Sequence, residues 1–202
     1  MQFFRQSLKK YSDEELMQRA GEGNSRAFDE LYGRYSARLF TYFHRMLWKN
    51  KELAEDCLHR LFLKIIEKPE LFNTEKNFKT WIYSAAHNMC KNEYRRMEQH
   101  KNADDTVQSG VGSESLINIK DDYPLPGNML DNKLFMRSLE NELDSLSENH
   151  RQTFTLRYFE HLSLKEIADI MECSEGTVKS RLFYALKQLA DKLKPFKNLL
   201  QL

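Results

Sequence analysis

The sequence predicts an all-α protein built as two small helical domains, and three observations carry that reading. Gly and Pro are scarce, seven and four among 202 residues. The period-two apolar alternation of strands is little developed. Apolar residues instead recur at helical spacing through two long stretches, separated by a polar segment that gathers Gly110, Gly112, Pro124, Pro126 and Gly127. With 41% hydrophobic residues, the chain has enough apolar surface for two real cores.

The first ten residues are expected to be loose. A capping box, Ser12 with Glu15, starts the first helix, and Gly21 and Gly23 end it. Asn24 or Ser25 then caps a long helix whose inward stripe is Ala27, Leu31, Tyr35, Leu39, Tyr42, Phe43 and Met46, with a turn at Lys49 to Lys51. A third helix, from about Glu52 to Glu67, buries Leu53, Cys57, Leu61 and Ile65 or their neighbours and stops at Pro69. After the polar loop Asn73-Thr74-Glu75-Lys76-Asn77, a fourth runs from near Phe78 through Trp81, Ile82, Ala85, Ala86, Met89 and Tyr94 into Arg95-Arg96. These four make the first domain, residues 1–96.

Periodicity fades from 97 to 130, which reads as an acidic, flexible linker. The second domain, 131–202, opens with a helix from Leu134 to Leu146. Ser147 caps the next, which ends around Tyr158. In its last part, Leu164, Ile167, Ala168 and Met171 form one stripe and Val178, Leu182, Ala185, Leu186, Leu189 and Leu193 another, joined by a turn at Cys173 and Ser174. This is a helix-turn-helix. The free face of its second helix carries Glu175, Thr177, Lys179, Ser180, Tyr184, Lys187 and Gln188, groups suited to base edges and phosphates in a major groove.

The net charge of +1 hides a division. Glu175 to Lys197 holds six Lys or Arg against two acids, whereas Asp104 to Asp131 holds six acids against one Lys. Cys57, Cys90 and Cys173 are odd in number and form no CxxC pair, so neither a disulfide framework nor a zinc site is expected, and each reads as a small buried hydrophobe. No signal peptide and no apolar run of membrane length is seen. The expectation is a cytoplasmic protein with no metal and no cofactor.

The order of these parts and several runs of residues resemble the extracytoplasmic-function sigma factors of bacterial RNA polymerase. The likeness covers nearly the whole chain. In the family's second region it rests on Leu31-Tyr-Gly-Arg-Tyr35, Ala54-Glu-Asp56, Phe62, Phe78-Lys-Thr-Trp-Ile82 and Asn88. In the fourth region it rests on Leu146-Ser, Phe154, Leu156-Arg-Tyr-Phe-Glu160, Leu162-Ser-x-x-Glu-Ile-Ala168 and Gly176-Thr-Val-Lys-Ser-Arg-Leu182. The resemblance implies core RNA polymerase and promoter DNA as partners, with an anti-sigma factor as a further candidate. The first domain would dock on the polymerase and open the −10 element, the second would read the −35 element as duplex, and the acidic linker would thread basic channels of the polymerase.

The same resemblance assigns residues. Asn73, Thr74, Glu75, Lys76 and Asn77 would shape a pocket for an unstacked base, with Asn88 and Asn92 facing the exposed strand. Lys79, Lys91, Arg95 and Arg96 could neutralise phosphates or simply be solvated, while the spacing of Phe78 and Trp81 favours core packing over base stacking. For the duplex, Lys179, Ser180, Phe183 and Tyr184 would lie near bases, with Thr177 and Arg181 on phosphates. The chain departs from the family's pattern where Arg is common, at Tyr184 and Leu186, and Tyr cannot make Arg's bidentate contact to guanine.

Core docking falls to the third helix through Asp56, His59, Arg60 and Phe62. His59 and Arg60 stand where the family usually has Gln and an acid, a charge reversal that would call for a matching change on the polymerase. A regulator binding an operator by itself would explain the helix-turn-helix but leave the first domain unassigned. Catalysis is not expected, because the six His residues, at 44, 59, 87, 100, 150 and 161, form no ligand-spaced pair and no phosphate-binding loop or nucleophile elbow is present.

Overall fold

The computed structural model describes residues 8–103 and 129–194, with side chains described for 8–99 and 134–194. All regular structure among the described residues is helical. The chain divides into two compact units, Met1–Val107 with Lys165–Cys173, and Gln108–Leu164 with Ser174–Leu202. The expected linker falls largely outside the described residues.

Unit 1 contains α1 (Asp13–Gly21), α2 (Ser25–Met46), α3 (Lys51–Glu67) and α4 (Phe78–Ala103). The capping box forms as the sequence predicts: Ser12 Oγ accepts from the Glu15 N–H at 3.2 Å and the Glu15 carboxylate accepts from the Ser12 N–H at 2.8 Å. Each such cap is worth about 1 kcal/mol. Leu8–Lys10, expected to be loose, form a 3₁₀ turn. Arg34 holds that turn, donating to the carbonyls of Lys9 and Tyr11 at 3.1 and 3.0 Å. Gly23 takes φ +89°, and a Cβ at Gly21 would meet Pro69 Cβ at 3.0 Å, so α1 ends on glycines for two different reasons.

The whole α2 stripe is buried, from Ala27 to Met46. Trp48 and Lys49 both adopt left-handed backbone, and Asn50 then caps α3 by accepting from the Leu53 N–H at 3.0 Å. In α3 the buried set is Ala54, Cys57, Leu58, Leu61, Phe62 and Ile65. The fourth helix does not stop at Arg95-Arg96 but continues to Ala103, because residues 97–103 carry no Gly or Pro and several strong helix formers.

Unit 2 holds α5 (Met129–Leu143), α6 (Glu148–Phe154) and α8 (Glu175–Lys192), while α7 spans Leu164–Ile170. The α6 segment ends not in α-helix at Tyr158 but in a π-helical turn, Thr155–Phe159, and His161 follows in left-handed backbone. The core of this unit is Leu143, Leu146, Phe154, Ala185, Leu189 and Leu193, with Phe135, Leu139 and Phe159 packed against it. Leu186, expected in the inward stripe of α8, is 41% exposed. It lies one residue past Ala185, and a single helical step of about 100° turns it out of the buried sector.

Candidate nucleic-acid interface

The polar loop before α4 is built by its own amides. Asn73 Oδ1 accepts from the Glu75 N–H at 2.9 Å, and its carbonyl accepts from the Lys76 N–H at 2.9 Å. Asn77 Oδ1 accepts from the N–H of Thr80 at 2.9 Å and from its hydroxyl at 3.2 Å, capping α4. Residues 73–77 are all exposed. The oxygens of Asn73 and Asn77 thus shape the loop, leaving Thr74, Glu75 and Lys76 as its outward side chains.

Behind the loop stands an aromatic cluster. Phe72, Phe78 and Trp81 lie with centroids 5.2 to 5.7 Å apart, and Tyr35 meets Phe78 edge-on at 5.3 Å. Phe72 and Phe78 are buried, and Trp81 is half-buried. Phe78 therefore serves the core, as its spacing predicts, while Trp81 keeps part of its ring at the surface. Further along α4, Asn88 and Asn92 are exposed one turn apart, followed by Arg95.

On α3, Asp56 and His59 are exposed, but Phe62 is only 4% exposed and packs against Tyr32 at 4.7 Å and Phe28 at 5.9 Å. It supports the outer face of the helix from beneath. That face carries Leu63 and Ile66, 52% and 57% exposed, which the sequence reading missed. Leu63 and Ile66 lie out of phase with the buried set, and in the run Leu61-Phe-Leu-Lys-Ile-Ile66 apolar residues occur on both sides of the helix.

Arg60 reaches across to α4 while its side chain remains 44% exposed. Its Nη2 lies 2.8 Å from Glu93 Oε1 and 3.2 Å from Cys57 Sγ, and its Nε lies 3.0 Å from Asp56. Arg96 Nη2 approaches the other oxygen of Glu93 at 3.3 Å. The hydrogen bond to Glu93 is the largest influence holding the Arg60 guanidinium above its ordinary pKa. Cys57 is pushed up by burial, with Arg60 opposing, so its thiol stays protonated and unreactive.

Ser174 caps α8 by accepting from the Thr177 N–H at 3.0 Å, the two hydroxyls lie 2.9 Å apart, and Ser180 donates to the Thr177 carbonyl at 2.9 Å. Glu172, before the cap, takes φ +50° where a Gly or Asn is usual. Lys179, Ser180, Phe183, Tyr184 and Lys187 are exposed, whereas Thr177 and Arg181 are half-buried. Phe183 and Tyr184 are 61% and 56% exposed and meet edge-on at 5.4 Å, and Tyr184 stacks near His150 at 6.3 Å. Gln188, expected on the free face, instead donates to the Ser145 carbonyl at 3.1 Å. Lys192 and Lys194 pair with Glu142 and Asp191, while Lys179 and Lys187 make no ion pair among the described residues.

No helix among the described residues is long and apolar enough to cross a membrane. Residues 31–101 match Sigma-70 region 2 and residues 136–189 match Sigma-70, region 4. The chain is 30% identical over 189 residues to the RNA polymerase sigma-H factor of Pseudomonas aeruginosa, covering 93% of this chain and 97% of that one. It is 28% identical over 184 residues to the ECF RNA polymerase sigma-E factor of Haemophilus influenzae, covering 91% and 96%. Among solved structures it resembles the sigma factor RpoE in complex with the anti-sigma factor NepR from Bartonella quintana, with a TM-score of 0.66 at 20% identity, covering 83% of this chain and 96% of that one. It also resembles CnrH in complex with the cytosolic domain of CnrY, with a TM-score of 0.64 at 18% identity, covering 91% and 97%. At these identities the structural likeness is one of fold.

Proposed function

The chain belongs to the extracytoplasmic-function sigma factors, and on that premise we propose how its residues divide the work of starting transcription. As a sigma factor it is a regulatory subunit that gives RNA polymerase its promoter specificity. It works in the cytoplasm, where polymerase and promoter meet.

The loop 73–77 and the face of α4 bearing Asn88 and Asn92 capture the strand exposed when the −10 element opens. The observation that carries this is the loop itself: an exposed polar turn, fixed at both ends by side-chain amides, stands beside an aromatic cluster with one ring at the surface. An unstacked base needs such a rigid rim, a π-face and polar groups for its Watson–Crick edge. Thr74, Glu75 and Lys76 supply the polar groups, and Lys79, Lys91 and Arg95 supply positive charge for the backbone.

The exposed face of α8 reads the −35 element. Lys179, Ser180, Phe183 and Tyr184 approach bases, and Thr177 and Arg181, at the sides, approach phosphates. The outer face of α3 docks on core polymerase through Asp56, His59, Leu63 and Ile66, supported by Phe62. An anti-sigma factor is a further partner, by analogy with the solved complexes of the two structural relatives.

Run-off transcription with core polymerase of the source organism, on a pool of its genomic promoter fragments, tests this reading. Discrete starts that require both protein and core are expected. Tight sequence-specific binding of the free chain without any new start would instead make it an operator-binding regulator.

A further inference from the structure

Glu93 is a carboxylate at 4% exposure, between α3 and α4, one residue after Asn92. A buried charge is tolerated only if paired, and removing one partner of such a pair is strongly destabilising because the other is stranded. The charges that meet it are Arg60 from α3, at 2.8 Å, and Arg96 from its own helix, at 3.3 Å. Three of the five N–H groups of Arg60 are used within the chain: Nη2 serves Glu93 and Cys57, and Nε serves Asp56, while its side chain stays 44% exposed. Withdrawing this guanidinium would leave Glu93 buried and under-compensated.

We propose that Arg60 is a positioning residue that locks α4 onto α3 through Glu93, so that the helix docked on polymerase and the helix that captures the opened strand move as one body. The reading rests on the functional assignment above. It also replaces the expectation of a matching change on the polymerase: the positive charge at position 60 is answered inside the chain. Glu93 lies five residues from Asn88, so a loosened Glu93 lets the strand-facing turns of α4 shift while the outer face of α3, with His59, Leu63 and Ile66, stays in place. Docking and opening would then separate.

The test compares the full-length wild type with Arg60→Met, Glu93→Met, the double variant and Arg60→Lys, each assembled with core polymerase. Two quantities are read: affinity for core, and permanganate reactivity of unpaired thymines in the −10 element of a promoter recovered by the run-off screen. Both single Met variants are expected to lower opening about tenfold or more, while core affinity changes less than about twofold. The double variant should be no worse than the singles, since removing both partners leaves no stranded charge. Arg60→Lys, which keeps one charge towards Glu93, should restore much of the opening and covers the case in which a Met variant fails to fold.

A tenfold loss of core affinity in Arg60→Met with none in Glu93→Met would overturn the proposal, because Arg60 would then be a direct polymerase contact. Additive losses of opening, or parallel losses of core affinity and opening in both singles, would overturn it as well. Failure of the wild type to give any core-dependent start would sink the functional reading itself, an outcome distinct from these.

Discussion

Glu14 on α1 accepts a hydrogen bond from the backbone N–H of Phe78 at 2.9 Å, across 64 residues of sequence. That N–H is one of the orphan donors at the start of α4, and the carboxylate there also meets the positive end of the helix dipole. With Asn77 capping the same turn, Glu14 ties the first helix to the loop that the proposed function gives to the opened strand. Local structure and function meet at this point.

Glu14→Ala should therefore cost about 1 to 2 kcal/mol of stability, the range for losing a charged cap, while Glu14→Gln, which keeps an acceptor, should lose less than about 1 kcal/mol. Chemical denaturation of both variants checks the order. In the assembled polymerase, Glu14→Ala should reduce thymine reactivity at the −10 element more than it reduces core affinity. Equal losses in the two would mean that the bond only stabilises the domain.

Much of the fold was legible because helical periodicity is a local signal. The α2 stripe from Ala27 to Met46, the Ser12–Glu15 box and the cap at Asn24 depend on neighbours within a turn or two, and the structure forms all of them. Partners distant in sequence were not legible. Nothing in the spacing told that Arg34 would reach Asp13 at 2.7 Å, that Arg60 would reach across to Glu93, or that Gln188 would hold Ser145. Leu63 and Ile66 escaped notice for the opposite reason: on a helix apolar on more than one side, periodicity alone does not mark which residues face out.

Arg34 gathers Asp13, Glu30 and two carbonyls, and its neighbour Tyr35 donates to the second oxygen of Asp13. Arg34→Met should release the turn Leu8–Lys10 and strip Asp13 of its cation, at a cost of about 1.5 to 3 kcal/mol. Faster amide exchange at Tyr11, whose N–H now donates to the Leu8 carbonyl, would accompany the loss of stability. Unchanged exchange there would show that Arg34 does not hold the segment.

Burial, reinforced by the hydrogen bond to Asp13, raises the Tyr35 hydroxyl well above its ordinary pKa. The folded state therefore favours the protonated form, so this contribution to stability is complete below about pH 10, the value of an unfolded Tyr, and is lost as pH rises from there towards the raised folded value. Between about pH 10 and 11 the wild type should lose up to about 1.4 kcal/mol per pH unit more than Tyr35→Phe does. At pH 7, where the hydroxyl is protonated in both states, Tyr35→Phe should be the less stable protein because Asp13 has lost a donor. Parallel stability curves for the two proteins in alkali would contradict the assignment.

On α8, charge and shape should separate cleanly. Lys179 is exposed and makes no ion pair among the described residues, so a contact to promoter phosphate or base meets no internal competition. Lys179 approaches bases and carries a charge, so Lys179→Ala in the holoenzyme should weaken binding most at −35 sequences that offer it a guanine and should reduce the slope of log affinity against log salt by about 1. Phe183 carries no charge and is 61% exposed, so Phe183→Ala should leave that slope unchanged. It should weaken binding most at sequences that place a thymine methyl against the ring, because apolar contact in the major groove reads that methyl. Titrations at several salt concentrations, on the recovered promoter and on variants of its −35 element, distinguish the two effects. A slope that falls with Phe183→Ala, or one left unchanged by Lys179→Ala, would overturn these roles.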